Sequence, residues 1–225
     1  MSASREFGLS EKQVFNQFPP EVLREVMQRG ISRKLLPGEY LCHQGETWPC
    51  VVLVTDGRLR WLMLSASGKE HQLFALESGE VFWAHSLFDD QPMPASLVAD
   101  KQVEALVWPR EIILPYLKRY PDVMWEVTGL LTRIMRRARE IIYGLAFQPV
   151  ASRLAGYLLD NLRDAEQDTF EREMTLEDIA AVLATSPEVV CRLLYQFQAD
   201  EILKVNRTQI TLQDRAALQD LVEGI

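Results

Sequence analysis

The stretch that most constrains how this chain can fold is residues 175–203, which read TLEDIAAVLATSPEVVCRLLYQFQADEIL. Thr175 is a natural N-cap, and Asp178 three residues later completes a capping-box pattern, which predicts the start of a helix. After a break, Ser186, Pro187 and Glu188 predict a second start. Ser favours the N-cap, Pro favours the first helical position, and Glu suits the positive end of the helix dipole. The stretch therefore predicts two short amphipathic helices joined by a tight turn.

The second predicted helix has an apolar and a polar face. Its apolar stripe is Val190, Leu193, Leu194 and Phe197, and the opposite side carries Glu188, Cys191, Arg192 and Tyr195. This is the helix-turn-helix arrangement for reading the major groove of DNA, because Arg can donate two hydrogen bonds to guanine and Glu can accept one from cytosine. An ordinary helical hairpin with a solvated Glu–Arg pair is the alternative interpretation.

Two short β-like runs within residues 202–212 follow the second helix, at the place of a wing. The predicted wing favours DNA binding over the ordinary hairpin. We predict that DNA is contacted by Thr175, Thr185, Ser186, Glu188, Val189, Cys191 and Arg192.

Charge is the main observation against DNA binding. The net charge is −8, and residues 149–225 contain seven basic and fourteen acidic side chains, a net −7. Phosphate binding needs local positive potential. The acidic residues crowd into residues 160–173 and the C-terminal tail, which leaves helix N-termini and hydroxyl groups near the turn for phosphates. We therefore expect DNA affinity to be modest, salt-sensitive and dependent on an effector.

The texture of the chain changes to short strands from residue 35 onward. Apolar and β-branched runs are separated by turn signals about every 7 to 12 residues, which is typical of a β-barrel or jelly roll. Residues 51–57 and 58–64 are predicted to form a hairpin, and residues 95–99 and 103–108 are further predicted strands. Residues 10–29 are predicted to form one or two short helices before the strands.

A long helix is predicted for residues 121–147, followed by a hinge at 145–149 and another helix from residue 150. Apolar residues repeat along it at spacings of three and four, as in a heptad seam. We predict that this seam forms a homodimer, although the helix could instead bury the stripe against its own β-domain. The predicted seam is Met124, Val127, Leu131, Ile134, Ala138, Ile141 and Leu145.

From about residue 35 to residue 212 the chain resembles the CRP/FNR, or catabolite-activator, family of bacterial transcription regulators. The family pattern E-x-x-(S or G)-R in the recognition helix is matched by Glu188, Cys191 and Arg192, with Cys191 departing from the usual Ser or Gly. Pro187 stands where the catabolite activator has Arg, so the target sequence should differ. The N-terminal cysteine cluster of the iron–sulfur branch is absent.

The resemblance implies an α+β fold in three parts. A β-roll sensor similar to a cyclic-nucleotide-binding domain spans residues 1–119, a dimerisation helix spans 120–147, and a winged helix-turn-helix domain spans 148–225. It further implies a homodimer on a palindromic double-stranded DNA site and contact with RNA polymerase. The expected function is effector-responsive, sequence-specific regulation of transcription.

The family's cyclic-nucleotide signature is altered in this chain. Trp83 and Ala84 stand where the resemblance expects Gly-Glu for the ribose, and Pro94 and Ala95 stand where it expects Arg-Ser for the cyclic phosphate. A buried phosphate needs a cation or several N–H donors, and Pro lacks even its own N–H. The long-helix positions that meet adenine are also different, Ala138 among them. We therefore expect an effector other than cyclic AMP.

Two effector classes remain open. The segment from Phe82 to Ser86 resembles the F-x-x-H-S stretch of the haem-containing carbon monoxide sensors of the family, which makes His85 a candidate haem ligand. Those sensors also use an N-terminal proline amine, whereas Ser2 follows Met1 here. The alternative is an apolar or aromatic small molecule without metal. The predicted effector pocket is Trp61, Trp83, Ala84, His85, Leu87, Pro94, Ala95 and Ala138.

Other function classes find little support. No GxSxG, HExxH, P-loop or GxGxxG motif occurs, so we do not expect an enzyme. Three unpatterned cysteines, together with no apolar run of membrane-spanning length and no signal peptide, indicate a cytoplasmic protein. A β-roll protein that binds a ligand but has weak or lost DNA binding remains an alternative to a regulator.

Overall fold

The computed structural model describes residues 14–162, 168–171, 174–206 and 208–223. The chain divides into two compact units, of which the first ends at Arg137 and the second begins at Ala138. Residues 10–13 of the predicted N-terminal helices and Arg207 in the predicted wing lie outside the described residues. Among the helices that are described, none combines the length and apolar character needed to cross a membrane.

The described part of the first unit contains eight strands with helices on either side. The strands are β1 (Ile31–Leu35), β2 (Tyr40–Cys42), β3 (Cys50–Asp56), β4 (Arg58–Leu64), β5 (Glu70–Glu77), β6 (Val81–Trp83), β7 (Ser96–Ala99) and β8 (Val103–Pro109). The helices are a 3-10 turn (Phe15–Gln17), α1 (Pro20–Gln28), α2 (Ser86–Asp89) and α3 (Arg110–Arg119). Antiparallel pairing gives two sheets, β1-β8-β3-β6 and β2-β7-β4-β5, which form the predicted jelly roll.

Strands β3 and β4 follow each other in the chain but belong to different sheets. Strand β3 pairs with β6 and β8, and β4 pairs with β5 and β7. The predicted hairpin of residues 51–57 and 58–64 is therefore wrong. At Gly57 the φ is +88°, and a Cβ there would lie 2.1 Å from the carbonyl oxygen of Gln102. The chain turns tightly against the β7–β8 connection, which only Gly allows.

The helices of the first unit are fixed to the strands by specific contacts. The Trp108 indole N–H on β8 donates a hydrogen bond to the carbonyl of Val26 in α1, at 2.7 Å. A Cβ at Gly30 would come within 3.0 Å of the Trp108 ring, so the approach of the chain to β8 requires Gly. The Tyr116 hydroxyl on α3 donates to the Glu25 carboxylate of α1, at 2.7 Å. The predicted N-terminal helical segment thus packs into the sensor domain.

The long helix α4 (Pro121–Phe147) has 27 residues, with the bounds that the sequence predicts. Val123, Val127 and Leu130 are buried in the core of the first unit. Val127 therefore packs against its own β-roll, and its prediction as a residue of the dimer seam is wrong. The large apolar residues that stay exposed on this helix are Met124, Trp125, Met135, Ile142, Tyr143, Leu145 and Phe147.

After α4, the second unit consists of helices and a three-stranded sheet around their own core. The elements are α5 (Val150–Leu162), β9 (Thr169–Glu171), α6 (Leu176–Val182), α7 (Pro187–Ala199), β10 (Leu203–Val205), β11 (Gln209–Leu212) and α8 (Arg215–Glu223). Helices α6 and α7 are the predicted pair, and β10 and β11 are the predicted wing, paired antiparallel. The core includes Leu158, Leu194, Phe197 and Leu218.

Two elements of this unit were not predicted. Strand β9 pairs with β11 through only three residues and lies in the acidic segment, so it has too little periodicity to detect. Helix α8 does carry a signal, because Ala217, Leu218, Leu221 and Val222 repeat at helical spacing and pack on the core. The acidic residues of the C-terminal tail belong in part to this packed helix.

Candidate nucleic-acid interface and effector region

The first helix of the candidate interface begins with a complete capping box. The backbone N–H of Thr175 donates to the Asp178 carboxylate at 3.0 Å, and the Asp178 N–H donates to the Thr175 hydroxyl at 3.1 Å. Helix α6 ends at Val182 with Leu183 as its C-cap, and Ala184 follows with a φ of +49°. The Thr185 N–H then donates to the carbonyl of Ala180 at 3.0 Å. This closes the tight turn that the sequence predicts.

Ser186 occupies the N-cap position of α7, with Pro187 as the first helical residue. Its hydroxyl does not bond the helix backbone, so the capping role predicted for this side chain is wrong. A hydrogen bond from the Ser186 side chain and one from its own backbone N–H lower the pKa of Glu188. The hydroxyl therefore serves the exposed carboxylate, and Glu188 is available as a charged hydrogen-bond acceptor.

The two faces of α7 are as predicted. Val190, Leu193, Leu194 and Phe197 are buried, whereas Glu188, Arg192 and Tyr195 are exposed. Val189 and Cys191 are half-buried on the sides of the exposed face. Glu and Arg one helical turn apart can reach the edges of neighbouring base pairs.

The wing is fixed to the end of α7. The side-chain oxygen of Gln198 accepts a hydrogen bond from the Val205 N–H at 2.9 Å. At the turn between β10 and β11, the Asn206 side chain accepts from the N–H groups of Thr208 and Gln209, at 2.9 and 2.7 Å. Thr175 is exposed and Thr185 is half-buried, so both hydroxyls lie near enough to the surface to meet phosphate.

The two tryptophans of the predicted effector pocket lie in different environments. The Trp61 ring is 4.7 Å from that of Phe74 and 5.4 Å from that of Phe82 between centroids. Trp83 instead packs against Phe15, at 6.2 Å. Because Phe82 and Trp83 are neighbours on β6, their side chains point to opposite faces of the sheet. The prediction that Trp83 lines one pocket together with Trp61 is therefore wrong. Trp83 packs against the N-terminal segment instead.

His85 lies directly before α2 and is half-buried. Its ring stacks on Trp61, with centroids 5.5 Å apart and an interplanar angle of 18°. Burial lowers the pKa of His85, and the nearby Asp89 opposes that shift. The imidazole is therefore held toward its neutral form.

The surroundings of His85 do not favour haem. A histidine that ligates iron usually has its other ring nitrogen fixed by a hydrogen bond, and the buried Nδ1 of His85 has no such partner in the described part of the chain. Among the described residues no group of three or more His, Cys, Asp or Glu side chains could hold a metal ion. Ser2, at the place of the expected second ligand, lies outside the described residues. Haem is not part of the function proposed below.

The positions that would hold a cyclic phosphate are apolar. Pro94 is exposed and Ala95 is fully buried. The neighbouring Ser96 is also buried, and its hydroxyl accepts a hydrogen bond from the Gln44 N–H at 2.9 Å. Ala84 and Leu87 are buried in the core, and Ala138 is exposed on α4 in the second unit.

One cationic residue near this region, Arg110, was not predicted from the sequence. Arg110, the first residue of α3, donates to the carbonyls of Ser86 and Leu87 and pairs with the Asp90 carboxylate. It therefore fixes the short helix α2, and each of its three nitrogen atoms donates to a protein acceptor. The turn-and-strand pattern gave no sign of Arg110, because its partners lie 20 or more residues away in the chain.

Cys42 and Cys50 are buried, and burial raises the pKa of their thiols to about 12 and about 11. A thiol is reactive as the thiolate, so these two side chains are poor candidates for redox chemistry. They behave as small apolar residues of the β-roll core.

The fold and the exposed face of α7 define a class of protein, a DNA-binding protein in which a helix-turn-helix follows a β-roll sensor. Comparison with known proteins agrees with this. A family model described as "Cyclic nucleotide-binding domain" matches residues 32–120, and one described as "Crp-like helix-turn-helix domain" matches residues 152–221. The chain belongs to the CRP/FNR family of transcription regulators.

Curated relatives cover most of the chain. The "Cyclic AMP receptor protein" of Thermus thermophilus is 29% identical over 195 residues, which is 86% of this chain and 89% of that protein. The "Transcriptional activator protein Anr" of Pseudomonas protegens is 24% identical over 209 residues, 91% of this chain and 84% of that protein. A solved structure of a CooA variant from Carboxydothermus hydrogenoformans has a TM-score of 0.77 at 23% identity, covering 96% of this chain and 99% of its own. That last similarity shows the fold.

Proposed function

We propose that this protein regulates transcription as a homodimer on a two-fold symmetric DNA site, in response to an effector other than cyclic AMP. The observation that carries the proposal is the exposed face of α7, where an ionised Glu188 and Arg192 stand one turn apart above a buried stripe. These side chains match the donor and acceptor groups of a G·C pair in the major groove. RNA polymerase is the further partner that family membership implies.

The homodimer rests on the exposed apolar residues of α4. Val127 is buried in the β-roll, so the predicted seam cannot be the dimer surface at that position. A second set of positions on α4 also repeats at spacings of three and four. It replaces Val127, Ile134 and Ile141 of the predicted seam by the residues that follow them. This register is Met124, Thr128, Leu131, Met135, Ala138, Ile142 and Leu145, in which Thr128 is polar and Leu131 is half-buried against the β-roll core. Of these, Met135 is 72% exposed, an unusual position for a large apolar side chain. A two-fold dimer is the form that suits a two-fold DNA site, whose half-sites lie about 34 Å apart for helix-turn-helix proteins.

The effector class rests on the absence of phosphate chemistry among the described residues near α2. Pro94 and Ala95 offer no charge, and Arg110 is already bonded to protein acceptors. Inside the roll the described surroundings of Trp61 are aromatic. We therefore favour an apolar or aromatic small molecule as the effector.

Selection of binding sequences from random double-stranded DNA by the full-length protein tests this function. We expect enrichment of an inverted repeat with half-sites about one helical turn apart. Arg192→Ala should lower affinity for the selected sequence by about 1–3 kcal/mol and relax preference at one base pair in each half-site. Arg136→Ala, an exposed arginine on α4, is the matched control.

Two outcomes would contradict the proposal. If no sequence is enriched at low salt, the protein is a ligand-binding β-roll without specific DNA binding. If cyclic AMP at physiological concentration binds with a calorimetric signal and raises DNA affinity, the effector assignment is wrong.

A further inference from the structure

Three backbone carbonyl groups converge on the guanidinium of Arg153 in helix α5. Its Nε and Nη2 atoms donate to the carbonyl of Leu183, at 3.3 and 3.0 Å. Its Nη1 atom donates to the carbonyls of Gln148 and Gly144, at 2.8 and 3.4 Å. The side chain is half-buried, and burial lowers the pKa of the Arg153 guanidinium. No carboxylate is among these partners.

Two of these carbonyls, those of Gln148 and Leu183, lie where a helix has ended and its last carbonyls lack intrahelical donors, whereas the Gly144 carbonyl also accepts from the Gln148 N–H at 3.0 Å. Gly144 and Gln148 belong to the last turn of α4 and the residue that follows it, and Leu183 follows the last residue of α6. The last carbonyls of a helix lack intrahelical donors and carry the negative end of its dipole. One guanidinium therefore satisfies the carboxyl ends of two helices that are far apart in sequence.

The Leu183 carbonyl lies directly before the turn that orients α7. Ala184 has a φ of +49°, a conformation that costs a residue with a Cβ about 1 kcal/mol or more. Ala has no side chain with which to support this conformation through local hydrogen bonds. The position of the turn therefore depends on the residues on either side of it. On the α6 side, the Arg153 guanidinium fixes the Leu183 carbonyl.

We propose that Arg153 is a positioning residue for DNA recognition, which ties the turn before α7 to the carboxyl end of α4. Through this tie, a shift of the last turn of α4 moves the turn before α7 instead of being absorbed by residues 148–149. The inference rests on the proposed function, because it concerns how α7 is presented to DNA.

Lys cannot perform this role. A guanidinium presents five donors in a rigid plane, whereas an ammonium group is a point charge on a flexible stem. Arg153→Lys keeps the charge at the two helix ends but cannot bridge three carbonyls in fixed geometry. The substitution therefore separates the positioning role from simple neutralisation of helix dipoles.

The test uses the full-length Arg153→Lys and Arg153→Met variants, with Arg215→Lys as the matched control, since Arg215 makes an exposed ion pair with Asp168 in the same unit. Hydrogen exchange of the Thr185, Val189 and Val190 amides reports on the turn. Affinity for the selected DNA, divided by affinity for random DNA, reports on presentation of α7. That ratio is insensitive to a simple loss of folded protein.

In Arg153→Lys we expect at least tenfold faster exchange at Thr185, unchanged exchange in α8, and a roughly tenfold fall in the ratio of specific to random affinity. Random-sequence affinity and the control variant should stay within twofold of the wild type. Unchanged exchange and ratio would overturn the inference, as would uniformly faster exchange across the unit with an unchanged ratio. If the wild type selects no sequence, the proposed function fails, and exchange at Thr185 alone decides the role of Arg153.

Discussion

His85 shows how one half-buried side chain makes stability depend on pH. In an unfolded chain its pKa is near the ordinary value of 6.5, and burial beside Trp61 lowers the pKa in the folded chain. As pH falls through about 6.5, the unfolded state therefore binds more protons than the folded state, and the free energy of unfolding decreases. This contribution is complete above pH 6.5 and is lost below it.

We expect urea unfolding of the wild type to show a declining free energy between about pH 7.5 and about pH 5.5. His85→Gln should reduce that decline, because its side chain does not titrate. The exposed His43, which stacks on Tyr40, supplies the control variant His43→Gln. Equal pH dependence in the wild type and His85→Gln would contradict the burial argument.

Single residues also show where sequence reasoning stops. The pattern located Glu188 and Arg192 on an exposed face, because helical periodicity alone decides which side of α7 is buried. It could not separate Trp61 from Trp83, since strand neighbours buried on both faces carry no alternation to read. Arg153 was also invisible, because its partners are backbone carbonyls, which have no sequence signature.

At the scale of elements, the start of α6 is a measurable unit of stability. Thr175→Ala removes the hydroxyl that accepts from the Asp178 N–H, so we expect the free energy of unfolding to fall by about 1 kcal/mol. Ser186→Ala is the natural comparison, because Ser186 makes no side-chain bond to the α7 backbone, and its effect on stability should be a few tenths of that or less.

Thermal or urea unfolding of both variants measures this difference. Equal losses from Thr175→Ala and Ser186→Ala would mean that the hydrogen bonds at the two helix starts do not have the roles described. The capping box was predictable from two residues three apart. The missing cap at Ser186 was not, because the competing acceptor is the side chain of Glu188.

The apolar residues of helix α4 serve two purposes, dimerisation and packing on the β-roll, which two substitutions can separate. Met135→Glu places a charge in the exposed stripe, so we expect loss of the dimer in analytical ultracentrifugation with the stability of the β-roll retained. Val127→Ala should do the reverse, lowering the free energy of unfolding by about 2 kcal/mol through the cavity it leaves while the dimer persists.

Arg136→Glu, next to Met135 but outside the stripe, controls for charge, because it changes the net charge by −2 against −1 for Met135→Glu. A dimeric Met135→Glu protein would contradict the stripe. The heptad spacing predicted that a seam exists, but a shift of one residue turns the helix by about 100°, so only the packing of Val123, Val127 and Leu130 on the roll could fix the register.

Strand pairing was the least predictable feature at this scale. An Asp-Gly pair between two apolar runs is a strong hairpin signal, and Asp56 and Gly57 have it. In the fold, Cys50–Asp56 instead pairs with Val103–Pro109, which is distant in the chain, and Arg58–Leu64 forms its hairpin with the following strand, Glu70–Glu77. The turns and strand boundaries are local and were readable, whereas the partner of a strand is not a local property.

For the whole molecule, charge governs how DNA affinity responds to salt. With a net charge of −8 and −7 in residues 149–225, binding relies on a few cations, helix N-termini and hydroxyl groups at close range. We expect affinity for the selected sequence to fall at least tenfold between about 50 and about 200 mM salt. Fluorescence anisotropy with labelled DNA measures this, and an affinity unchanged up to about 500 mM would contradict it.

The pairing of the first strand with the last also decides when the β-roll can form during synthesis. Ile31–Leu35 waits for Val103–Pro109, which emerges from the ribosome roughly 70 residues later. Until then, the Val- and Leu-rich strand Cys50–Asp56 lacks its neighbour on that side. A nascent chain arrested before residue 103 therefore exposes unpaired strand edges, which are sites of aggregation. A fragment that contains the β-roll must for this reason extend beyond Pro109.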